Sequence, residues 1–369
     1  MPPIRILYVN GGTMDMGGIS AYMMNFYRCF DKNKIQIDFI VHGAGGYYDS
    51  EIEQMGGRVF HVPTKRENYW ANQKAIARIM EQGQYRIIHA HCDGMNGPIL
   101  KMARKHGIPV RISHSHNTEH LTKNKLKLFL HERARKQIPK YATNAFACSE
   151  PAGRWLYEEK MSFTVIHNAI ELDKYRFSST KRQILREKLG LEGKYVIGHI
   201  GRFDYQKNHE FLISAFAAYS LEDREARLVL IGDGDLRTDI EEQIHRLHIQ
   251  DKVLLLGRRM DVADLMNIFD VFAFPSRFEG LGIVAIEAQA NGLPCIISDK
   301  VPREAIIAAN VRQLSLCKEE WVEQMKEHLD GRIDAMNKLI DGGYDIKSEA
   351  HKLEEIYLGC YVGSNQARG

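Results

Sequence analysis

The sequence predicts an α/β protein made of two Rossmann-like, doubly wound domains facing a cleft. Three observations predict it. Short apolar, β-branched runs alternate with helical patterns from end to end, as βαβ units on a mostly parallel sheet do. A polar stretch at residues 171–194, with Ser178, Ser179 and Thr180, interrupts the alternation, which then restarts. The length of 369 residues exceeds one typical domain and suits two.

In the first half the strand-like runs are Ile4–Val9, Ile37–Val41, Val59–Val62, Ile87–His91, Val110–Ser113, Ala145–Cys148 and Thr164–Ile166. Helical patterns at Ile19–Phe30 and Trp70–Glu81 fall between them. The polar stretch reads as the connection between domains. Beyond it the runs Tyr195–Ile200, Arg227–Ile231, Val253–Leu256, Val271–Phe274 and Pro294–Ile297 read as strands, with helices at Asn208–Tyr219, Leu236–Leu247 and Ile283–Asn291. This sets an N-terminal domain at 1–171 and a C-terminal domain at 172–344. The tail, 345–369, reads as a helix that frays from Gly363 and is expected to pack back on the first domain.

Hydrophobic residues at 44% and charged residues at 26% are ordinary globular values. A net charge of +3 excludes a general polyanion binder, so any basic surface is local. The cysteines, Cys29, Cys92, Cys148, Cys295, Cys317 and Cys360, contain no Cys-x-x-Cys. That excludes a zinc knot or disulfide framework and fits a reducing cytoplasm. The N-terminal apolar run is too short for a signal peptide, and no stretch reaches the roughly 18 apolar residues of a membrane span. The expected location is the cytoplasm, with any membrane contact peripheral.

The strongest pattern is Phe274-Pro-Ser-Arg-Phe-Glu-Gly-Leu-Gly-Ile-Val-Ala-Ile-Glu-Ala. A buried strand ends near Phe274. Glu279 sits in the turn, Gly280 and Gly282 lead into a helix, and Glu287 lies two turns in. A carboxylate among apolar helix residues is costly unless something hydrogen-bonds it. The helix start, with free N–H groups and a positive dipole end, suits a diphosphate. Arg202 and Lys207, on the loop after Ile200, supply cations for phosphate oxygens. A turn at Gly232-Asp-Gly-Asp follows another strand.

These residues resemble the retaining nucleotide-sugar glycosyltransferases of family 4, which have the GT-B fold, and the resemblance spans nearly the whole chain. It implies that Arg202 and Lys207 bind the donor diphosphate. It further implies that Glu279, Gly280, Leu281 and Gly282 hold sugar and phosphate, Glu287 the ribose, and Gly257–Arg258 the nucleobase, with Gly232 at a close-approach turn. The local texture is similar to the bacterial exopolysaccharide and capsule branch. An Asp-x-Asp such as Asp233–Asp235 can bind a divalent cation, but the family generally uses no metal in catalysis. The expectation is therefore no metal and no cofactor, the nucleotide sugar being substrate.

In the first half, Asn10-Gly-Gly-Thr-Met-Asp-Met-Gly-Gly-Ile-Ser opens a helix. Its spacing departs from the dinucleotide fingerprint, and no acidic residue ends the second strand, which disfavours a dehydrogenase. The resemblance assigns Gly17 and Gly18 to donor phosphate or acceptor. His89, His91, His114, His116 and His167 fall at strand ends. Pairs two apart share a side of their strand, which could suggest a metal site, but no carboxylate ligands accompany them, and they read as lining the cleft mouth. His116 is implied as the contact to the donor sugar and counted as catalytic with Arg202, Lys207 and Glu279; His114 is its rival. Residues 121–141 are rich in Lys and Arg with Leu121, Leu126, Leu128, Phe129 and Leu130 interleaved. They are either a solvated face or a surface for anionic lipid. Nucleic acid is not expected, because no aromatic platform accompanies the charges.

The expected activity is transfer of a sugar, with retention, from a donor, UDP-linked by expectation, to a hydroxyl of a glycan or lipid-linked acceptor in cell-surface polysaccharide synthesis. Alternatives are a nucleotide-sugar epimerase of the same fold and a non-catalytic partner of a transferase.

Overall fold

The computed structural model describes residues 2–15, 17–120, 122, 124–327 and 331–366. The chain divides into two compact units, Met1–Ala169 with Asp345–Gly369, and Ile170–Tyr344.

Unit 1 holds a parallel sheet of β1 (Ile4–Asn10), β2 (Ile35–His42), β3 (Arg58–Val62), β4 (Ile87–His91), β5 (Val110–Ser115), β6 (Asn144–Ala147) and β7 (Thr164–Val165) in the order β3-β2-β1-β4-β5-β6-β7. Every residue of β2 and β4 is buried. Strands covered on both faces are mostly apolar, and the Ile and Val residues of Ile35–His42 and Ile87–His91 make them stand out in the sequence although both strands also bury polar side chains. The helix Gly18–Cys29 packs Tyr22, Met23, Phe26 and Tyr27 on one face of this sheet, and Ile346, Ala350, Leu353 and Tyr357 of the final helix join the same core. The hydroxyls of Tyr8 and Tyr357 share a 2.6 Å hydrogen bond.

Unit 2 holds β8 (Tyr195–Ile200), β9 (Ala226–Ile231), β10 (Val253–Gly257), β11 (Val271–Phe274), β12 (Cys295–Ser298) and β13 (Val311–Leu314), all parallel, in the order β10-β9-β8-β11-β12-β13. In each sheet the order reverses at the centre, between β1 and β4 and between β8 and β11. Such a reversal opens a crevice at the carboxyl ends of the strands, where ligands of open α/β sheets bind.

Three elements depart from the sequence reading. The stretch 171–194 is not a bare connection: it carries the helix Ser179–Leu189, none of whose residues is buried. This helix is held by charge, with Arg182 and Arg186 both paired to Asp270, so no apolar periodicity betrays it. Strand β13 was not read because its sequence is Val-Arg-Gln-Leu with only Val311 buried. The final helix runs on to Gln366 and does not fray at Gly363.

Candidate active site

The candidate residues of unit 2 sit at the ends of β8, β9, β10 and β11 and in the helix Ile283–Ala290 that follows β11. Gly232 has φ +148°, and a Cβ there would lie 1.9 Å from the carbonyl oxygen of Gly201. Only glycine lets these two loops touch. The Phe203 N–H then donates to the Asp233 carbonyl at 3.0 Å, and the buried Phe203 ring roots the loop. Asn208, in the left-handed region at φ 57°, starts the helix His209–Tyr219. Its amide donates to the Pro275 carbonyl (3.1 Å) and its oxygen accepts from Arg277 (2.6 Å). The loops after β8 and β11 are thereby fastened together.

That lock brings Lys207 to Glu279. Lys207 Nζ donates to Glu279 Oε1 at 2.6 Å, and Gln206 Nε2 donates to Oε2 at 3.2 Å and to the Phe278 carbonyl at 3.0 Å. The ammonium lies 4.8 Å from the centroid of the Phe274 ring. Glu279 is only 6% exposed, so this is a buried ion pair. Removing one partner of such a pair costs roughly 3–5 kcal/mol.

Arg202 stands apart from that pair. It is 62% exposed and 3.5 Å from Asp235, itself 87% exposed, and an open pair of this kind contributes about 0–1 kcal/mol. Its guanidinium can be given up to an anion at little cost. Asp233 lies 3.7 Å from Arg237 and 4.0 Å from Arg258. Gly257, at φ +65° with open space around it, accepts from the Gly232 N–H at 2.9 Å.

After β11, Gly280, Leu281 and Gly282 are buried. Gly282 has φ +84°, and a Cβ there would meet Phe274 at 2.9 Å, so a larger residue would push the turn off the strand. The helix Ile283–Ala290 starts from Gly282 without a side-chain cap, which leaves its first amides and positive end suited to an anion. Glu287 keeps part of its surface reachable by solvent but is surrounded by protein at longer range. Burial raises its carboxyl to about 7, against the opposing pull of the Tyr175 hydrogen bond and the Lys207 charge. Its Oε1 accepts from the Tyr175 hydroxyl at 2.8 Å.

The first unit gathers different chemistry at its reversal point. Gly17 and Gly18 open the helix Gly18–Cys29, exposed and without a side-chain cap, with the Gly17 N–H donating to Asp15 at 3.1 Å. His89, His91, His114 and His116 are all buried. His89 Nε2 and His114 Nδ1 share a 3.1 Å hydrogen bond, and His91 Nδ1 and His116 Nε2 one of 2.8 Å. His89 Nδ1 bonds the Tyr357 hydroxyl at 2.6 Å. Burial holds all four neutral at pH 7, far below the usual imidazole range and, for His116, down to about 3. The rings of His114 and His116 stack at 4.3 Å and 9°. Both residues are therefore in the array, and the His116 backbone N–H is held by Asp93 at 2.7 Å. His89, His91 and His114 offer nitrogens within 4.8 Å of one another, a group that could hold a metal. Their ring planes lie within 34° of parallel, and lone pairs in such planes do not converge on one ion without rotation.

Of the basic segment, Leu121 and Lys123 lie outside the described residues. The helix Lys125–Arg135 exposes Leu126, Phe129 and Leu130 beside Lys125, Lys127 and Arg133, with Lys136 beyond it. Arg135 is not part of that open face: it is spent on Glu132 (2.8 Å), Glu158 (2.6 Å) and the Trp155 carbonyl (2.8 Å). Among the described residues no helix is long and apolar enough to cross a membrane.

Sequence reasoning missed Gln206, Asn208, Arg277 and Tyr175. The first three flank or lie within the quoted motifs, and a polar side chain beside Lys207 was the available signal. Tyr175 had none, since it meets Glu287 across 112 positions.

Two family models match the chain. Residues 16–174 match Glycosyltransferase Family 4, and residues 181–343 match Glycosyl transferases group 1. EpsF of Bacillus subtilis (strain 168), named as a glycosyltransferase, is 35% identical over 96% of this chain and 96% of its own. A UDP-Gal:alpha-D-GlcNAc-diphosphoundecaprenol alpha-1,3-galactosyltransferase of Escherichia coli is 24% identical over 94% of this chain and 95% of its own. The structure of Anabaena Alr3699/HepE in complex with UDP and glucose superimposes with a TM-score of 0.80 at 18% identity, over 96% of this chain and 100% of that one.

Proposed function

The chain belongs to the glycosyltransferases, with a family 4 first half, a group 1 second half and the GT-B fold, and from that premise we propose what it transfers and how. The donor is a UDP-sugar. The acceptor is a hydroxyl of a glycan on a lipid carrier, the configuration at the anomeric carbon is retained, and the product enters cell-surface polysaccharide. The galactosyltransferase relative acts on a diphosphoundecaprenol-linked acceptor by its name, and HepE structures hold UDP and UDP-glucose. Both support this reading.

The observation that carries it is the arrangement at the β8–β11 reversal: a buried Lys207–Glu279 pair, an open Arg202 and an uncapped helix start. Arg202 and the amides of Gly280–Gly282 would receive the diphosphate, and Lys207 would shift from Glu279 onto the phosphate that leaves. Glu279, released on one side but still held by Gln206, would then accept from a sugar hydroxyl. Gly232, Gly257 and Arg258 would border the nucleoside, and Glu287 would take the ribose hydroxyls. These charges are already oriented before the sugar–oxygen bond breaks, which is how electrostatic stabilisation lowers a barrier. No metal or cofactor enters this scheme. Within unit 1, Gly17, Gly18 and His116 are proposed as contacts to substrate, His116 through Nδ1. The exposed Leu126, Phe129 and Leu130 with their flanking cations are proposed to rest on anionic lipid at the cytoplasmic face of the membrane.

The test is calorimetric titration with UDP, GDP and ADP, followed by turnover of the matching nucleotide sugars with a lipid-diphosphate acceptor and NMR of the product anomer. UDP should bind best, and the product should keep the donor configuration. An inverted product, or conversion of the donor with no acceptor present, would overturn the proposal.

A further inference from the structure

We infer that Tyr175 is a positioning residue for nucleotide recognition: its hydroxyl fixes one oxygen of Glu287 so that the other is presented to the ribose hydroxyls. The inference rests on reading Glu287 as the ribose-binding group.

Tyr175 ends the short turn Leu172–Tyr175, which the buried Leu172 anchors. Two bonds tie it to a single helix. Its hydroxyl donates to Glu287 Oε1 at 2.8 Å, and its carbonyl accepts from Asn291 Nδ2 at 2.8 Å. Asn291 lies one turn beyond Glu287, and its own N–H donates to the Glu287 carbonyl at 3.1 Å. Asn291 is steadied in turn by Arg332, which donates to its Oδ1 at 3.2 Å. Tyr175 is thus a bracket, with main chain and side chain both fixed to the helix that carries the carboxylate.

A glutamate side chain is otherwise free to turn about its χ bonds, and ordering it on binding costs rotamer entropy. A carboxylate already held through one oxygen has met that cost in the free protein. Among the described residues no donor meets Glu287 Oε2, so that oxygen keeps its lone pairs for a ligand. A vicinal diol offers two hydroxyl donors, and the ionised form of Glu287, which only accepts, is its complement. Tyr175→Phe removes the hydroxyl that meets Glu287 and leaves the Asn291 bond, which goes to the main chain.

The experiment measures binding of UDP and of 2′,3′-dideoxy-UDP to the wild type, Tyr175→Phe, Glu287→Gln and the double variant, with circular dichroism confirming the fold of each. Wild type should prefer UDP by about tenfold or more, the discrimination expected where a buried polar group is left unpaired by the deoxy analogue. Tyr175→Phe should weaken UDP binding by about five- to tenfold and leave dideoxy-UDP within about twofold of wild type. In the double variant the tyrosine should add nothing to the loss caused by Glu287→Gln. Equal weakening of both nucleotides by Tyr175→Phe, or no weakening of either, overturns the positioning role while the ribose assignment stands. If Glu287→Gln itself leaves the preference for UDP intact, the ribose assignment falls.

Discussion

Both parallel sheets gather polar side chains where their strand order reverses, but they treat charge in opposite ways. In unit 1 the group is four imidazoles packed against one another, with tyrosine rings meeting them edge-on or tilted, buried and uncharged. In unit 2 it is Lys207 against Glu279, with Arg202 exposed nearby on the same loop and Glu287 one turn into a helix. The same topology supplies the same crevice, and what differs is how each unit meets the cost of removing polar atoms from water. Unit 1 keeps its groups neutral. Unit 2 keeps its ions and pairs them across a short distance. A paired ion can be handed to a ligand, whereas a neutral stack is a fixed part of the core. Charge is therefore a better pointer than polarity to a group that a ligand can take over.

The contrast can be broken most directly at Lys207. Lys207→Ala should lower turnover by about a hundredfold or more, the usual loss for one charge-stabilising group, and also destabilise unit 2, because Glu279 is left buried without its cation. Arg202→Ala should cost turnover to a similar degree with no measurable change in melting temperature. Steady-state kinetics and thermal unfolding of both variants check this, and a thermal loss in Arg202→Ala would contradict the assignment of that side chain as open.

Acid should separate the units next. His89, His91, His114 and His116 have pKa values held down by burial. Their neutral state contributes stability that is fully present above the unfolded value near 6.5 and is lost as pH falls toward the folded values. Each contributes a loss of about 1.4 kcal/mol per pH unit in that window, so four act strongly on a domain stabilised by about 5–15 kcal/mol. Unit 2 has His199, held at about 4, and His209, at about 2. It also has Glu287 with the opposite sign: its carboxyl is raised to about 7, so between pH 7 and 4.5 its protonation offsets part of what the two histidines of unit 2 lose. Unit 1 should therefore lose structure first between pH 6.5 and 4. Hydrogen exchange across that range, read separately on the peptides of β4–β5 and β8–β11, would show it. Simultaneous loss of both, or earlier loss of unit 2, would refute the sign.

The finest distinction lies inside the neutral stack. The Tyr357 hydroxyl joins Tyr8 and His89, and Tyr357→Phe leaves both short of a partner, a loss of about 1–3 kcal/mol. The buried Tyr22 hydroxyl has no hydrogen-bond partner among the described residues, so Tyr22→Phe should change stability by less than about 0.5 kcal/mol. Chemical denaturation of the two variants compares them.

The core strands and the glycine-bearing loops of unit 2 were legible because their information is local. The fully buried strand β11 is apolar throughout, Val-Phe-Ala-Phe, and the loop that approaches another backbone at Gly232 must carry glycine. The helix Ser179–Leu189 and strand β13 were not legible, since one is fastened by Arg182 and Arg186 to a distant Asp270 and the other lies at a sheet edge with polar faces. Histidines at a spacing of two were visible, but nothing local told that they would be buried and neutral.

What the sequence by itself determined is therefore the pair of doubly wound α/β folds and the order of glycine, arginine, lysine and glutamate at the strand ends, because periodicity and backbone freedom are properties of short windows. Only the tertiary structure decided which of those groups are paired, which are open and which are neutral. Burial and partnership are set by side chains from far along the chain, as Tyr175 meets Glu287 and Tyr357 meets His89. The free energy of a charge depends on its surroundings and not on its neighbours in sequence.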